Sequence, residues 1–222
     1  TAREVEITID DKTSVYGEDL KELTANLSNG TFAPNEDITT LGIELYKEEG
    51  LSVGTYAITG ESSNGNYTVN FVDGTYEITP KAVTVTIDNK TSVYGDELEE
   101  LTVTVDESTL AYGEKEADLG IELYKAEGKD VGTYAITGES SNGNYTVNFV
   151  DGTYEITPKA VTVTIDNKTS VYGDELEELT VTVDESTLAY GEKEADLGIE
   201  LYKAEGKDVG TYAITGESSN GN

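Results

Sequence analysis

The chain has 222 residues, with 45 Asp and Glu against 14 Lys and Arg, a formal net charge of −31, and no Cys, His, Trp or Met. Without Cys or His, disulfide frameworks, thiolate chemistry and the Ser-His-Asp and Cys-His triads are excluded, and the commonest zinc ligands are missing. So acidic a surface repels nucleic-acid phosphates and anionic lipid heads, and no run of about 18 apolar residues offers a membrane span.

Along the chain, the first marker is Tyr16-Gly17-Glu18, which returns as Tyr94-Gly95-Asp96 and Tyr172-Gly173-Asp174, a period of 78 residues. Thr79-Pro80 returns as Thr157-Pro158, and residues 82–144 and 160–222 are identical at every position. Such a period is too long for a solenoid coil and suits a small autonomous domain. Three tandem domains are therefore expected, at 1–80, 81–158 and 159–222. Ile78-Thr79-Pro80-Lys81-Ala82 leaves almost no linker, and Pro80 and Pro158 fix φ, so little bending is expected between repeats.

Within the second copy the elements follow one another as strands. Val83, Val85 and Ile87 alternate with Thr84 and Thr86; Leu101, Val103 and Val105 alternate with Thr102 and Thr104. Thr109–Gly113, where the first copy has Thr31-Phe32-Ala33-Pro34-Asn35, is expected to be a loop, and 114–119 one helical turn or a short helix. Ile121, Leu123 and Lys125 mark a third strand and Val131–Ile136 a fourth. Asn142-Gly143 offers a turn before Tyr145, Val147 and Phe149; Asp151-Gly152 then separates that run from Tyr154 and Ile156, which predicts a type I′ hairpin. The third copy stops at Asn222, the counterpart of Asn144, so it is expected to lack this final hairpin and to leave strand edges unpaired. With no signal peptide at Thr1 and no sorting signal after Asn222, the chain reads as a fragment.

The fold expected is mainly β: tandem small β-rich domains, β-grasp-like or sandwich-like, with little helix, arranged as an elongated rod. Tyr94, Tyr134, Tyr145 and Tyr154 are expected to be partly buried, with packing weighed against a sugar-stacking platform. Calcium is the one cofactor the carboxylates suggest, at Asp10-Asp11, Asp96-Glu97 and Glu99-Glu100, although no Asp-x-Asp-x-Asp-Gly loop is present. Lys90 and Asn148 supply the residue types for an internal isopeptide bond. No catalytic, cofactor-binding or metal-binding residue is assigned, and ligand-binding residues remain unassigned.

Several marks in order carry a resemblance. They are Val83–Thr86, Lys90-Thr91-Ser92-Val93-Tyr94-Gly95-Asp96, Val131-Gly132-Thr133-Tyr134-Ala135-Ile136-Thr137, Asn144-Tyr145-Thr146-Val147 and Gly152-Thr153-Tyr154-Glu155-Ile156-Thr157-Pro158. The unit resembles the MBG-type repeat, in its Tyr-Gly-acidic variant, of bacterial mucin-binding and other surface proteins. The resemblance implies an extracellular, bacterial cell-surface or cell-wall-anchored protein with a role in adhesion, and no catalytic residues. Two roles are expected to compete: an extended stalk that projects an adhesive domain, and a repeated module that binds host mucin or another glycoprotein by avidity. Mucin's sialic acid and sulfate would meet a surface of the same sign, and Arg3 is the sole arginine. Paired carboxylates could in principle serve a glycosidase, but three copies of one small domain without a cleft-forming insertion argue against an enzyme.

Overall fold

β-Branched residues and tyrosines alternating with Thr, Glu and Asn favour extended backbone. The computed structural model, which describes residues 1–222, is accordingly built from eighteen strands, with 3-10 turns of three or four residues as its only helical elements. No helix is long and apolar enough to cross a membrane. The first repeat contains β1 (Arg3–Ile9), β2 (Lys12–Val15), β3 (Ala25–Gly30), β4 (Ile43–Lys47), β5 (Gly54–Ser62), β6 (Tyr67–Val72) and β7 (Gly74–Thr79). The second repeats them as β8 (Lys81–Ile87), β9 (Lys90–Val93), β10 (Val103–Val105), β11 (Ile121–Lys125), β12 (Gly132–Ser140), β13 (Tyr145–Val150) and β14 (Gly152–Thr157). The third has β15 (Val163–Ile165), β16 (Val181–Val183), β17 (Ile199–Lys203) and β18 (Ile214–Ser218).

Each complete repeat holds two sheets, ordered β3-β1-β6 and β2-β7-β5-β4 in the first, β10-β8-β13 and β11-β12-β14-β9 in the second. This is the sandwich-like alternative; a β-grasp would need a helix lying across its sheet. The chain changes sheet at nearly every connection. β1 runs parallel to β6 and antiparallel to β3, while β7 runs parallel to β2 and antiparallel to β5. The last two strands of a repeat therefore close onto its first two.

That topology corrects the expected final hairpin. The runs flanking Asp73-Gly74 and Asp151-Gly152 lie in different sheets, so β6 and β7, like β13 and β14, are not paired with each other. Neither glycine takes a positive φ. Gly74 and Gly152 serve close approach instead: a Cβ there would lie 2.8 Å from the carbonyl oxygen of Ile9 or Ile87. An Asp-Gly between two alternating runs marks a hairpin only when both runs share a sheet, and here each run has a core face of its own. The structure also adds β9, over Lys90–Val93, a strand not anticipated from its short pattern.

Third-repeat pairing is reduced to β15 with β16 and β17 with β18. Counterparts of β13 and β14 are not in the sequence; β15 covers three residues where β8 covers seven, and residues 168–171 form no strand.

Packing divides the chain differently from the repeats, into one unit of Thr1–Thr86, Val103–Glu122 and Gly138–Val150 and another of Ile87–Thr102, Leu123–Thr137 and Asp151–Asn222. In the first unit, Val5, Ile7, Leu41 and Tyr67 form one core cluster. A larger cluster runs from Ile9, Tyr16, Ile58, Tyr76 and Ile78 into Val83, Val85, Ala111 and Tyr145 of the second repeat. In the second unit, Tyr94, Tyr154, Ile156, Ala189 and Leu197 are buried. A small clamp recurs in all three copies: the ammonium of Lys47, Lys125 or Lys203 sits 3.8, 3.9 or 4.0 Å from the ring centre of Tyr56, Tyr134 or Tyr212.

Candidate functional site

The Tyr-Gly-acidic signature follows a short strand, β2 or β9, and turns sharply after it. Gly17 and Gly95 adopt φ +82° and +81°, in the left-handed region that glycine tolerates best. Glu18 N–H donates to Val15 O and Asp96 N–H to Val93 O, each at 3.0 Å. The tyrosine itself is anchored through its backbone, Tyr16 N–H to Thr79 O at 2.9 Å and Tyr94 N–H to Thr157 O at 2.8 Å. Beneath it, Ser14 Oγ lies 2.6 Å from the hydroxyl of the buried Tyr76, which also accepts from Lys21 N–H. These bonds hold the signature tyrosine at the end of its own repeat with its ring free to reach the next.

Tyr16 is buried against the second repeat. Its ring meets Tyr112 and Tyr145 edge-on, with centroids 5.3 and 5.5 Å apart. Its hydroxyl donates to Glu114 Oε1 at 2.9 Å, while Tyr145 donates to Glu114 Oε2 at 2.5 Å and accepts from Ala111 N–H at 2.7 Å. One carboxylate thus joins a tyrosine from each repeat. Gly17 lies so close to Ala111 that a Cβ on it would fall 2.3 Å from the alanine Cβ. Val53 N–H donating to Asn144 Oδ1 at 2.9 Å completes this joint.

The second unit builds the same joint between repeats two and three. Tyr94 donates to Glu192 Oε1 at 2.9 Å, its ring stands edge-on to Tyr190 at 5.2 Å, and a Cβ on Gly95 would lie 2.3 Å from Ala189 Cβ. Val131 N–H donates to Asn222 Oδ1 at 3.1 Å. Here the acidic member of the signature is used as well: Lys159, where the chain passes into the third repeat, lies 3.2 Å from Asp96 Oδ1. Tyr112 and Tyr190 carry positive φ values of 51° and 50°, uncommon for a bulky residue and confined to this joint among the tyrosines. Burial, and then the adjoining carboxylate, pushes the hydroxyls of Tyr16, Tyr94 and Tyr145 up to about 12.

The other residues singled out in the sequence fall elsewhere. Tyr94, Tyr145 and Tyr154 are buried and Tyr134 is half-buried under Lys125, so none of them presents a face to a sugar. Asp10 accepts from Thr24 and Asn26, and Asp11 accepts from both the N–H and the hydroxyl of Thr75; these bonds hold both carboxyls below their usual range. In the second copy Asn89 makes the Asp11 bonds without a charge, to Thr153. Both positions therefore act as latches between strands, and no three carboxylates converge on a metal-sized space. Lys90 lies in β9 and Asn148 in β13, strands of different sheets. In the first repeat Lys12, the counterpart of Lys90, donates to Thr24 Oγ1 at 2.6 Å.

Sequence reasoning missed that the signature tyrosine belongs to a joint, because its carboxylate partner lies 98 residues away. One signal was available. Across the otherwise divergent segment Thr31–Glu36 and its counterpart Thr109–Glu114, only Thr, Ala and Glu are shared, and Ala and Glu are two of the residues the joint uses. Comparison with known families gives three consecutive matches to the model described as MBG domain (YGX type), over residues 5–77, 83–155 and 161–222. No curated protein matches the chain.

Proposed function

The chain belongs to the MBG domain family of YGX type, and from that premise we propose that it is a non-catalytic stalk segment of a bacterial surface adhesin, in which each repeat is fastened to the next by its Tyr-Gly signature. The observation that carries this reading is the recurrence at both junctions of the same contacts, signature tyrosine to glutamate and signature glycine against alanine. A binding module needs only its own site. A spacer needs each repeat to hold the direction of its neighbour, and a tight Gly–Ala contact with a Tyr–Glu hydrogen bond supplies that at each junction. The net charge of −31 supports extension, since like-charged repeats resist collapse onto one another and onto neighbouring stalks.

Small-angle scattering tests the proposal. Three repeats in line would reach about 90 Å or more, whereas a single globule of this length would span roughly 45 Å. A maximum dimension near the smaller value would refute the stalk. So would an unchanged profile for a Tyr16→Ala, Tyr94→Ala double variant, which should flex and broaden the distance distribution.

One observation favours a second reading. Each repeat presents a half-exposed tyrosine at the same position, Tyr46, Tyr124 and Tyr202, at 46, 47 and 49% exposure. Such rings offer stacking surfaces for sugars, and three weak contacts in one chain would add by avidity. Saturable binding to immobilised mucin at physiological salt, lost on replacing these three tyrosines with alanine, would establish it. The absence of binding up to about millimolar would leave the repeats as stalk.

A further inference from the structure

Tyrosine is the one readily oxidised side chain in this protein: Cys, Met, Trp and His are absent, and 15 Tyr remain. An oxidising equivalent that reaches the chain meets no thiol, thioether or indole to consume it first. Each joint brings two tyrosine rings into contact, one from each repeat. Tyr16 meets Tyr112 with centroids 5.3 Å apart and 85° between planes, and Tyr94 meets Tyr190 at 5.2 Å and 82°. The members of a pair differ. Tyr112 and Tyr190 are 59 and 54% exposed, so an oxidant in solution can reach them. Tyr16 and Tyr94 are buried, and each hydroxyl donates to a carboxylate, Glu114 or Glu192, at 2.9 Å. These buried hydroxyls stay protonated far above neutral pH, so an electron leaves the ring only together with its proton, and the carboxylate is placed to take that proton.

We propose that each joint is a site of oxidative modification, at which hydrogen peroxide and a peroxidase join Tyr16 to Tyr112 and Tyr94 to Tyr190 as dityrosine. The exposed ring gives one electron and its hydroxyl proton to the oxidant. It then takes an electron back from the buried ring, whose proton passes to the glutamate and on to solvent, and is oxidised a second time. The two phenoxyl radicals couple between ring carbons next to their hydroxyls. Each of those carbons passes its hydrogen to the phenolic oxygen as the ring regains aromaticity. Two electrons and two protons have then left the pair, and they reduce one hydrogen peroxide to two waters. Each bond closes a loop of 96 residues (112 − 16, and 190 − 94), so it fastens one repeat to the next even when the hydrogen bonds of the joint open. The proposal rests on the ring contacts of the joints and not on the stalk reading.

Treating the whole chain with a peroxidase and limiting hydrogen peroxide tests the proposal. At about 1 μM chain, rings held together at an effective concentration of about millimolar or above couple ahead of rings on separate chains. The product should be a monomeric chain, lighter by two hydrogens for each bond, with dityrosine emission. Cleavage after lysine should yield Thr13–Lys21 joined to the peptide 91–115. Because 91–115 and 169–193 are identical in sequence, the Tyr94–Tyr190 bond should appear as that peptide joined to itself. Tyr112→Phe keeps an aromatic ring at an exposed position, and should abolish the first product while sparing the second. Tyr190→Phe should do the reverse. A chain left unmodified while N-acetyltyrosine in the same mixture is coupled would overturn the proposal. So would dityrosine formed mainly between chains or through Tyr46 and Tyr202, a bond from Thr13–Lys21 to the peptide that holds Tyr145, or products unchanged in the two phenylalanine variants. None of these results would touch the stalk reading, which the scattering experiment tests separately.

Discussion

Replacing Gly17 with alanine separates the two demands the signature makes on its glycine. The backbone at φ +82° strains any L-residue, at a cost of about 1–2 kcal/mol. The new methyl would also meet Ala111 Cβ at 2.3 Å, with the Ala111 backbone 3.2 Å away. Neither neighbour is a flexible side chain that can swing aside, so the joint must open or its strands must shift, which overpacking data put at about 1–3 kcal/mol. Gly173→Ala is the internal control. Its φ of +94° imposes comparable strain, but nothing lies within 4 Å of the added Cβ. The difference between the two variants therefore isolates the joint, at about 1–3 kcal/mol. Urea unfolding followed by tyrosine emission suits a chain with 15 Tyr and no Trp. Hydrogen exchange over residues 105–120 should report faster opening in Gly17→Ala and parent-like rates in Gly173→Ala. Equal losses in the two variants, with exchange over 105–120 unchanged, would mean that the glycine serves the turn alone and would remove the joint from this account.

Alkali should loosen the joints. The hydroxyls of Tyr16, Tyr94 and Tyr145 are raised to about 12 from 10, so their stabilisation is complete below pH 10 and is lost as pH climbs towards 12, at most about 2–3 kcal/mol each; a Tyr16→Phe variant should show a shallower alkaline decline in thermal midpoint, and an identical decline would contradict the assignment. Asp11→Asn should leave the neutral-pH midpoint unchanged, because Asn89 already makes the equivalent bonds, whereas Asp11→Ala should lower it. Because the Asp11 carboxyl is held below 3.8, chiefly by Thr75 N–H, its contribution is present above that pH and lost as pH falls through the depressed value. The asparagine variant should therefore lose less stability between pH 4 and 2 than the parent.

The strands were readable because β-branched and aromatic residues alternate with polar ones on a period of two, and burial follows that alternation in β8, where Val83, Val85 and Ile87 face inward. The topology was not readable. Asp151-Gly152 satisfies every local requirement of a hairpin, and only the long-range pairing of β14 with β9 and β12 shows that the chain crosses between sheets there. β9 escaped notice because Lys90–Val93 is short and draws its order from β14 rather than from its own pattern, as the unstructured counterpart at 168–171 confirms. The joint was hidden for a related reason. Tyr94 looks like any strand-end tyrosine until Glu192 and Tyr190 of the next repeat stand beside it.

The closing of the last two strands onto the first two also decides how a repeat carries a load. β1 leads the chain in and runs parallel to β6; β7 leads it out and runs parallel to β2. Tension drawn along the polypeptide pulls the entering strand by its start and the leaving strand by its end, so each parallel ladder is dragged lengthwise. Its evenly spaced hydrogen bonds then share the force and must break together, instead of opening one at a time like a zip. If the repeats serve as the stalk proposed above, that strand order alone would lend them resistance to being unravelled, with no disulfide needed.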